Sequence, residues 1–201
     1  MARTVVMLLL LVRPAAADPA PPAVAFNEPI GWPSGVSVAG SVYLGVSARQ
    51  VLRVNLASYE QIVGGFGDLV SGLAGGDGAD RAGHTTDVGV GWLGFPRRAY
   101  DGAMVEAGVI YRHRDLAVTD EDAMYEYDAT RSDEVAARAL VGWSWLFTRR
   151  VFVSLAVGVS AGYEFGSETA RALDEDPLMT ARVSRWRVDG ETCLRFGVVL
   201  R

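Results

Sequence analysis

Residues 151–165 read VFVSLAVGVSAGYEF, a stretch in which every second position is apolar. In an extended chain successive side chains point to opposite faces, so this stretch has one continuous apolar face. The apolar face consists of Val151, Val153, Leu155, Val157, Val159, Ala161, Tyr163 and Phe165. The opposite face is mainly small or polar, as in Ser154, Gly158 and Glu164. The pattern predicts a long β-strand with one apolar side.

The same two-residue period recurs from Val36 to the end of the chain. It predicts strands at residues 36–47, 52–57, 85–95, 102–114, 135–147, 151–165, 179–188 and 192–200. Short connections near 47–50, 96–101, 148–150 and 188–190 alternate with long ones at 58–84, 116–134 and 166–178. Short turns that alternate with long loops are typical of antiparallel up-and-down barrels. We therefore expect an all-β, up-and-down barrel of about eight strands.

The alternation leaves two strand counts open. With eight strands, both ends of the barrel lie at the rim that carries the long loops. The period also continues in phase through 36–59 and through 180–200, so either pair of segments can form one longer strand. One such merger gives seven strands, which remains the alternative.

The N-terminal segment has the features of an export signal. Arg3 is followed by the apolar run Thr4–Val12, and Ala15-Ala16-Ala17 fits a small-residue cleavage site. The apolar run is too short to span a bilayer as a helix. We expect residues 1–17 to be a signal peptide, 18–35 a Pro-rich lead-in and 36–201 the barrel domain. Within the first long loop, apolar residues at helical spacing predict a short helix over 62–73.

Composition excludes several classes of function. The chain has one Cys, two His and a formal charge of −5, which rules out a disulfide framework and a basic nucleic-acid surface. No Gly-x-Ser-x-Gly element accompanies His84 or His113. The acidic stretch 115–134 lacks the spacing of a dedicated Ca²⁺ loop. We expect no enzyme activity, no cofactor and no metal site.

The direction of the apolar face separates two kinds of barrel. In a soluble, lipocalin-like barrel this face lines a ligand-binding interior, whereas in a membrane barrel it meets lipid. The opposite face is rich in Gly and Ala, for example at Gly89, Gly91, Gly142 and Gly158. Small residues suit a narrow lumen better than a water-facing surface, where they weaken strands. A transmembrane barrel is therefore favoured, and a soluble exported barrel that binds an apolar ligand is an alternative.

Signal peptide, alternating strands and Gly-x-Gly elements such as Gly89-Val90-Gly91 together resemble small Gram-negative outer-membrane barrels of the OmpA/OmpX type. The C-terminal stretch 195–201 resembles the assembly signal of these proteins, although it ends in Arg201 and not in an aromatic residue. The resemblance implies a monomer in the outer membrane, contact with lipid, and recognition by the barrel assembly machinery through the last strand. It implies a structural or surface-interaction role, with a narrow channel as the alternative.

In the membrane orientation, a set of charged residues on the small-residue face points into the lumen. These residues are Arg53, Asp87, Glu106, Arg112, Arg114, Arg138, Glu164, Glu191 and Arg195. Charges inside a narrow barrel are tolerated when they are paired or hydrated. We therefore predict a structural network of ion pairs.

Overall fold

The computed structural model describes residues 18–28, 38–61, 81–118, 125–172 and 179–200, which contain eight β-strands. The strands are β1 (Ala23–Glu28), β2 (Val38–Ser47), β3 (Gln50–Gln61), β4 (Arg81–Gly94), β5 (Gly102–Val118), β6 (Tyr125–Phe147), β7 (Val151–Ala172) and β8 (Met179–Val199). Each strand pairs antiparallel with the next, and β1 pairs with β8. The sheet is therefore a closed eight-stranded barrel, as the alternation predicts.

The short connections all lie at one rim. They comprise the turns between β2 and β3, between β4 and β5, and between β6 and β7. In the last of these, Thr148 and Arg149 both have positive φ, at 51° and 61°, and the Arg150 amide donates to the Phe147 carbonyl at 3.1 Å. Two consecutive positive-φ residues are the geometry of tight hairpins whose twist matches that of the flanking strands.

Both ends of the barrel also lie at the short-turn rim, because Ala23 pairs with Val199. The sequence leaves open which rim holds the two ends, because the eight segments expected from the alternation would put both at the long-loop rim. The structure differs from that set of segments in two ways. Residues 188–190 are not a turn: β8 continues through them in register with β7, where Asp189 faces Ser160. The missing strand is β1, which lies within the expected lead-in, so the barrel begins before residue 36.

Strands β3 to β7 all extend further toward the long-loop rim than the alternation predicts, β6 and β7 by the most residues. Strand β6 begins at Tyr125 rather than near residue 135, and β7 continues to Ala172 rather than ending near 165. Much of the acidic stretch 115–134 is therefore strand and not loop. The predicted helix over 62–73 and the signal peptide fall outside the described residues. Among the described residues, no helix is long and apolar enough to cross a membrane.

The apolar side of the sheet faces outward. On β6, Val141 is 58% exposed and Trp143 is 49% exposed, whereas Arg138 and Leu140, which have the opposite phase and point inward, are buried. The exposed large apolar residues include Val42, Val54, Val90, Trp92, Val109, Val135, Trp145, Phe147, Val157, Val159, Phe165, Phe196 and Val198. A lipocalin-like barrel requires the opposite arrangement, so the geometry contradicts that alternative.

Candidate functional site

The interior of the barrel is filled in three layers. The layer at the short-turn rim is an aromatic plug formed by Tyr43, Tyr100 and Phe152. The rings of Tyr100 and Phe152 stack with centroids 4.9 Å apart, and Tyr43 meets both rings edge-on. The plug is anchored because the Tyr100 hydroxyl donates to the Pro21 carbonyl at 2.9 Å. Gly197 makes room for it, since a Cβ there would lie 2.2 Å from the Phe152 ring.

The middle layer, which we call the central cluster, consists of Arg53, Glu106, Arg138 and Arg195. Each residue projects inward from a different strand, and all four are at least 93% buried. Both oxygens of the Glu106 carboxylate are shared. Oε1 lies 2.9 Å from Arg138 Nη2, Oε2 lies 2.6 Å from Arg195 Nη2, and Arg53 Nη1 lies 3.1 Å from the carboxylate. Three guanidinium groups therefore converge on one carboxylate.

The central cluster leaves several buried donors without hydrogen bonds. Among the described residues, hydrogen bonds are missing at Nε of Arg53, at Nε of Arg138, and at Nε and Nη1 of Arg195. Asn55 contributes a long contact of 3.4 Å from its Oδ1 to Arg138 Nη2. The hydroxyl of Tyr43, a residue directly across from Arg53 in the β2–β3 register, is also unpaired. Buried donors without partners cost free energy, so these groups form the least satisfied part of the interior.

The third layer lies closer to the long-loop rim, and we call it the upper cluster. Its members are Asp87, Arg112, Arg114, Glu134, Glu164, Arg185, Arg187, Asp189 and Glu191. Arg112 holds three carboxylates. It contacts Asp87 at 2.8 Å through Nε, Glu191 at 2.8 Å through Nη2, and Asp189 at 3.3 Å through Nη1. This cluster has four arginines against five carboxylates, so its charges nearly balance.

Arg114 links the two sides of the upper cluster. Its Nη2 donates to Asp189 Oδ2 at 2.7 Å, and its Nη1 lies 2.6 Å from Glu134 Oε2. The second contact is close in distance but lies outside hydrogen-bond angles. Glu164 accepts from Ser132 Oγ at 2.7 Å and from Arg185 Nε at 2.9 Å. Side chains from β4, β5, β6, β7 and β8 are therefore tied together across the lumen.

The structure places all nine residues that the sequence assigns to the lumen on the inner face. Eight are buried, and Glu191 is partly exposed at the upper cluster. It brings Arg53, Glu106, Arg138 and Arg195 together, and it brings the other five together in the upper cluster. Two further carboxylates of the lumen, Glu134 and Asp189, are absent from the predicted set because they fall in the expected connections 116–134 and 188–190. Both continue the inward phase of their strands, at two-residue spacing from Ala136 and Glu191.

The outer face carries hydroxyl and histidine groups at the edge of its apolar surface. Ser58 Oγ lies 2.7 Å from His84 Nε2, a distance compatible with a nucleophile and its general base. No described carboxylate hydrogen-bonds the His84 ring, so the pair has no orienting acid. The second histidine, His113, pairs through Nδ1 with Asp133 at 2.9 Å, and Tyr111 also donates to Asp133. Neither arrangement forms a nucleophile–base–acid triad among the described residues.

No family model matches the chain, and the curated proteins contain no match. One solved structure that resembles it is the crystal structure of the N-terminal β-barrel domain of Pseudomonas aeruginosa OprF. The sequence identity is 10% and the TM-score is 0.45, and the match covers 90% of this chain and 99% of that one. The assignment as an eight-stranded antiparallel barrel rests on the chain's own closed strand order.

Proposed function

We propose that this chain is an integral barrel of a Gram-negative outer membrane, with a structural or surface-interaction role and no catalytic activity. The observation that carries the proposal is that the apolar face of the sheet points outward and the charged face points inward, the reverse of a soluble barrel. Valine and tryptophan side chains cover the outside of the barrel, while arginine and carboxylate side chains fill the inside. Water would penalise an apolar exterior of this extent, whereas the hydrocarbon of a bilayer is its natural solvent.

The dimensions of the apolar surface support the same proposal. On β6 the outward apolar residues run from Val135 to Phe147, and outward Arg131 and Asp133 precede them. Twelve residue steps of about 3.3 Å, tilted by about 40°, span about 30 Å, which is close to the thickness of a bilayer core. Aromatic residues lie toward both ends, with Trp143 and Trp145 at one end and Tyr163 near the other. This distribution is typical of interfacial girdles.

The absence of catalysis is part of the proposal. The two histidines of the chain lie outside the barrel, and the charged groups of the lumen are engaged with one another. A structural or surface role is supported by a rigid, filled barrel that can present long connections at one rim. The predicted export signal and the last strand, through which assembly machinery would bind, fit delivery of a monomer to the outer membrane.

Fluorescence quenching by brominated lipid tests the membrane proposal. The chain is folded into phosphatidylcholine bilayers whose acyl chains carry bromine, and the emission of variants with a single tryptophan is recorded. Trp143 should lose most of its emission relative to unbrominated lipid, because bromine quenches by contact. The matched control is a variant whose single tryptophan lies in the lumen, made by Phe152→Trp. Its emission should fall only slightly in brominated lipid. Equal quenching at both positions, or a folded chain that stays in the aqueous fraction without detergent, would contradict the proposal.

A further inference from the structure

The central cluster carries an excess of positive charge that its own residues do not neutralise. Arg53, Arg138 and Arg195 share one carboxylate, that of Glu106, which leaves two guanidinium charges without a counter-charge. Arginine stays protonated in proteins, so this excess cannot be removed by loss of a proton. A buried charge without a partner is strongly destabilising, so an arrangement of this kind calls for a further negative group.

The carboxylates of the upper cluster do not supply that charge. Each of the five accepts or contacts an arginine of its own layer, for example Asp87 and Glu191 on Arg112. Between the two clusters lie the buried side chains of Ile110 and Ala136, which separate Glu106 from Arg112 on β5 and Arg138 from Glu134 on β6. On the other side, the aromatic plug is apolar. The excess charge is therefore confined to one layer of the lumen.

Most of the unpaired buried donors of the described residues lie at the layer with the excess charge, the exception being Arg114 Nη1 in the upper cluster. Four buried guanidinium nitrogens make no hydrogen bond, and they belong to the three arginines that meet at Glu106. Arg195 has the most unpaired nitrogens of the three arginines, because both its Nε and its Nη1 lack a hydrogen bond. Its side chain is only 1% accessible to solvent. Charge-assisted hydrogen bonds to an anion would satisfy these donors and reduce the charge together.

We propose that the central cluster binds a small inorganic anion, such as a halide, through N–H groups of Arg53, Arg138 and Arg195. The ligand is small because the four side chains of the cluster are at least 93% buried, and one monovalent anion neutralises one of the two uncompensated charges. Exchange is slow, because the aromatic plug closes one side and the carboxylates of the upper cluster repel anions on the other. The anion therefore enters while the barrel closes. The proposal holds whichever solvent surrounds the barrel, so it stands apart from the membrane proposal.

Bromide retention tests the site directly. The full chain is folded into detergent micelles in sodium bromide, desalted into gluconate, denatured, and analysed for bromide by ion chromatography. We expect about one bromide per barrel. The near-isosteric variant Asn55→Asp places a carboxylate beside Arg138, supplies one negative charge in place of the anion, and should retain less than about a tenth as much. Ser58→Asp adds the same charge to the outer face of the same strand and should retain as much as the wild type.

Stability gives a second readout. Barrels folded in bromide should melt about 5 °C or more above barrels folded in gluconate at equal ionic strength, because the ligand binds the folded state alone. Asn55→Asp should melt at the same temperature in both salts, and above the wild type in gluconate. A folded wild type that retains no bromide and melts at one temperature in both salts would overturn the proposal. Equal bromide retention by the wild type and Asn55→Asp would also overturn it.

Discussion

At the scale of single residues, the charges inside this barrel differ from one another in what their removal would do. Glu106 contacts three buried guanidinium groups, whereas Arg138 is one of three cations that share it. Removal of a negative charge from a site with excess positive charge increases that excess. Removal of a cation from the same site reduces it. The two neutralisations are therefore not equivalent, although they break the same ion pair.

We predict that Glu106→Gln lowers the free energy of unfolding by about 3 kcal/mol or more, the range found when a buried pair loses one partner. Arg138→Gln should lower it by less than about 1 kcal/mol, since Glu106 keeps two arginine partners. Urea titration of both variants in the same detergent, followed by the gel-mobility shift between folded and boiled chain, measures the difference. Equal losses would show that the central cluster has no cationic excess.

The identity of the inward charges could be predicted from the sequence, but their pairing could not. A two-residue period is enough to assign Arg53, Glu106 and Arg195 to one face of the sheet. The pairs themselves join residues 53, 32 and 89 positions apart. Which arginine meets Glu106 depends on the register and tilt of five or more strands, and on the direction of long side chains. None of these quantities is encoded in local alternation.

At the scale of strands, a strand can be predicted from the sequence when apolar and polar residues alternate without interruption over many positions. Strands β5, β6 and β7 were evident because many consecutive residues keep one phase. Strand β1 has only six residues, Ala23–Glu28, and lies next to a proline-rich stretch. It closes the barrel by pairing with β2 on one side and with the C-terminal strand β8 on the other. Strand β8 is longer than either segment expected from the alternation because residues 188–190 form no turn, and Arg185 and Arg187 blur the apolar pattern of its first half. Both follow the inward phase of β8, and both contact Glu164.

The close approach of β6 and β7 yields a prediction at this scale. A Cβ at Gly158 on β7 would lie 2.0 Å from the Ala139 carbonyl oxygen and 2.8 Å from the Leu140 Cα atom, both backbone atoms of β6. Gly158→Ala should therefore force the strands apart and lower the free energy of unfolding by about 1–3 kcal/mol. Ala161→Val, on the outer face of the same strand, should change it by less than about 0.5 kcal/mol. Urea titration of the two variants in one detergent checks this, and a neutral Gly158→Ala would contradict the strand spacing.

At the scale of the whole molecule, side chains block the lumen of the barrel at three successive levels along its axis. The aromatic plug of Tyr43, Tyr100 and Phe152 closes the short-turn rim, and the central cluster fills the next layer with buried side chains. Eight strands make a barrel whose interior is just wide enough to be filled by side chains. The upper cluster lies in series with these two layers, so a path for ions would have to open all three. This arrangement favours a structural barrel over the channel alternative.

Planar-bilayer recording tests that conclusion. Wild-type barrels should give no current steps above baseline at moderate voltage. The double variant Tyr100→Ala with Phe152→Ala removes the plug and should remain silent, because the Glu106-centred cluster still occupies the lumen. Adding Arg195→Ala to the double variant takes away the most buried of the three guanidinium groups and should also leave the barrel silent, because the upper cluster still spans the lumen. Steady conductance of the wild type would restore the channel alternative. Openings in the plug variant alone would show that both clusters are permeable and that the plug is the barrier.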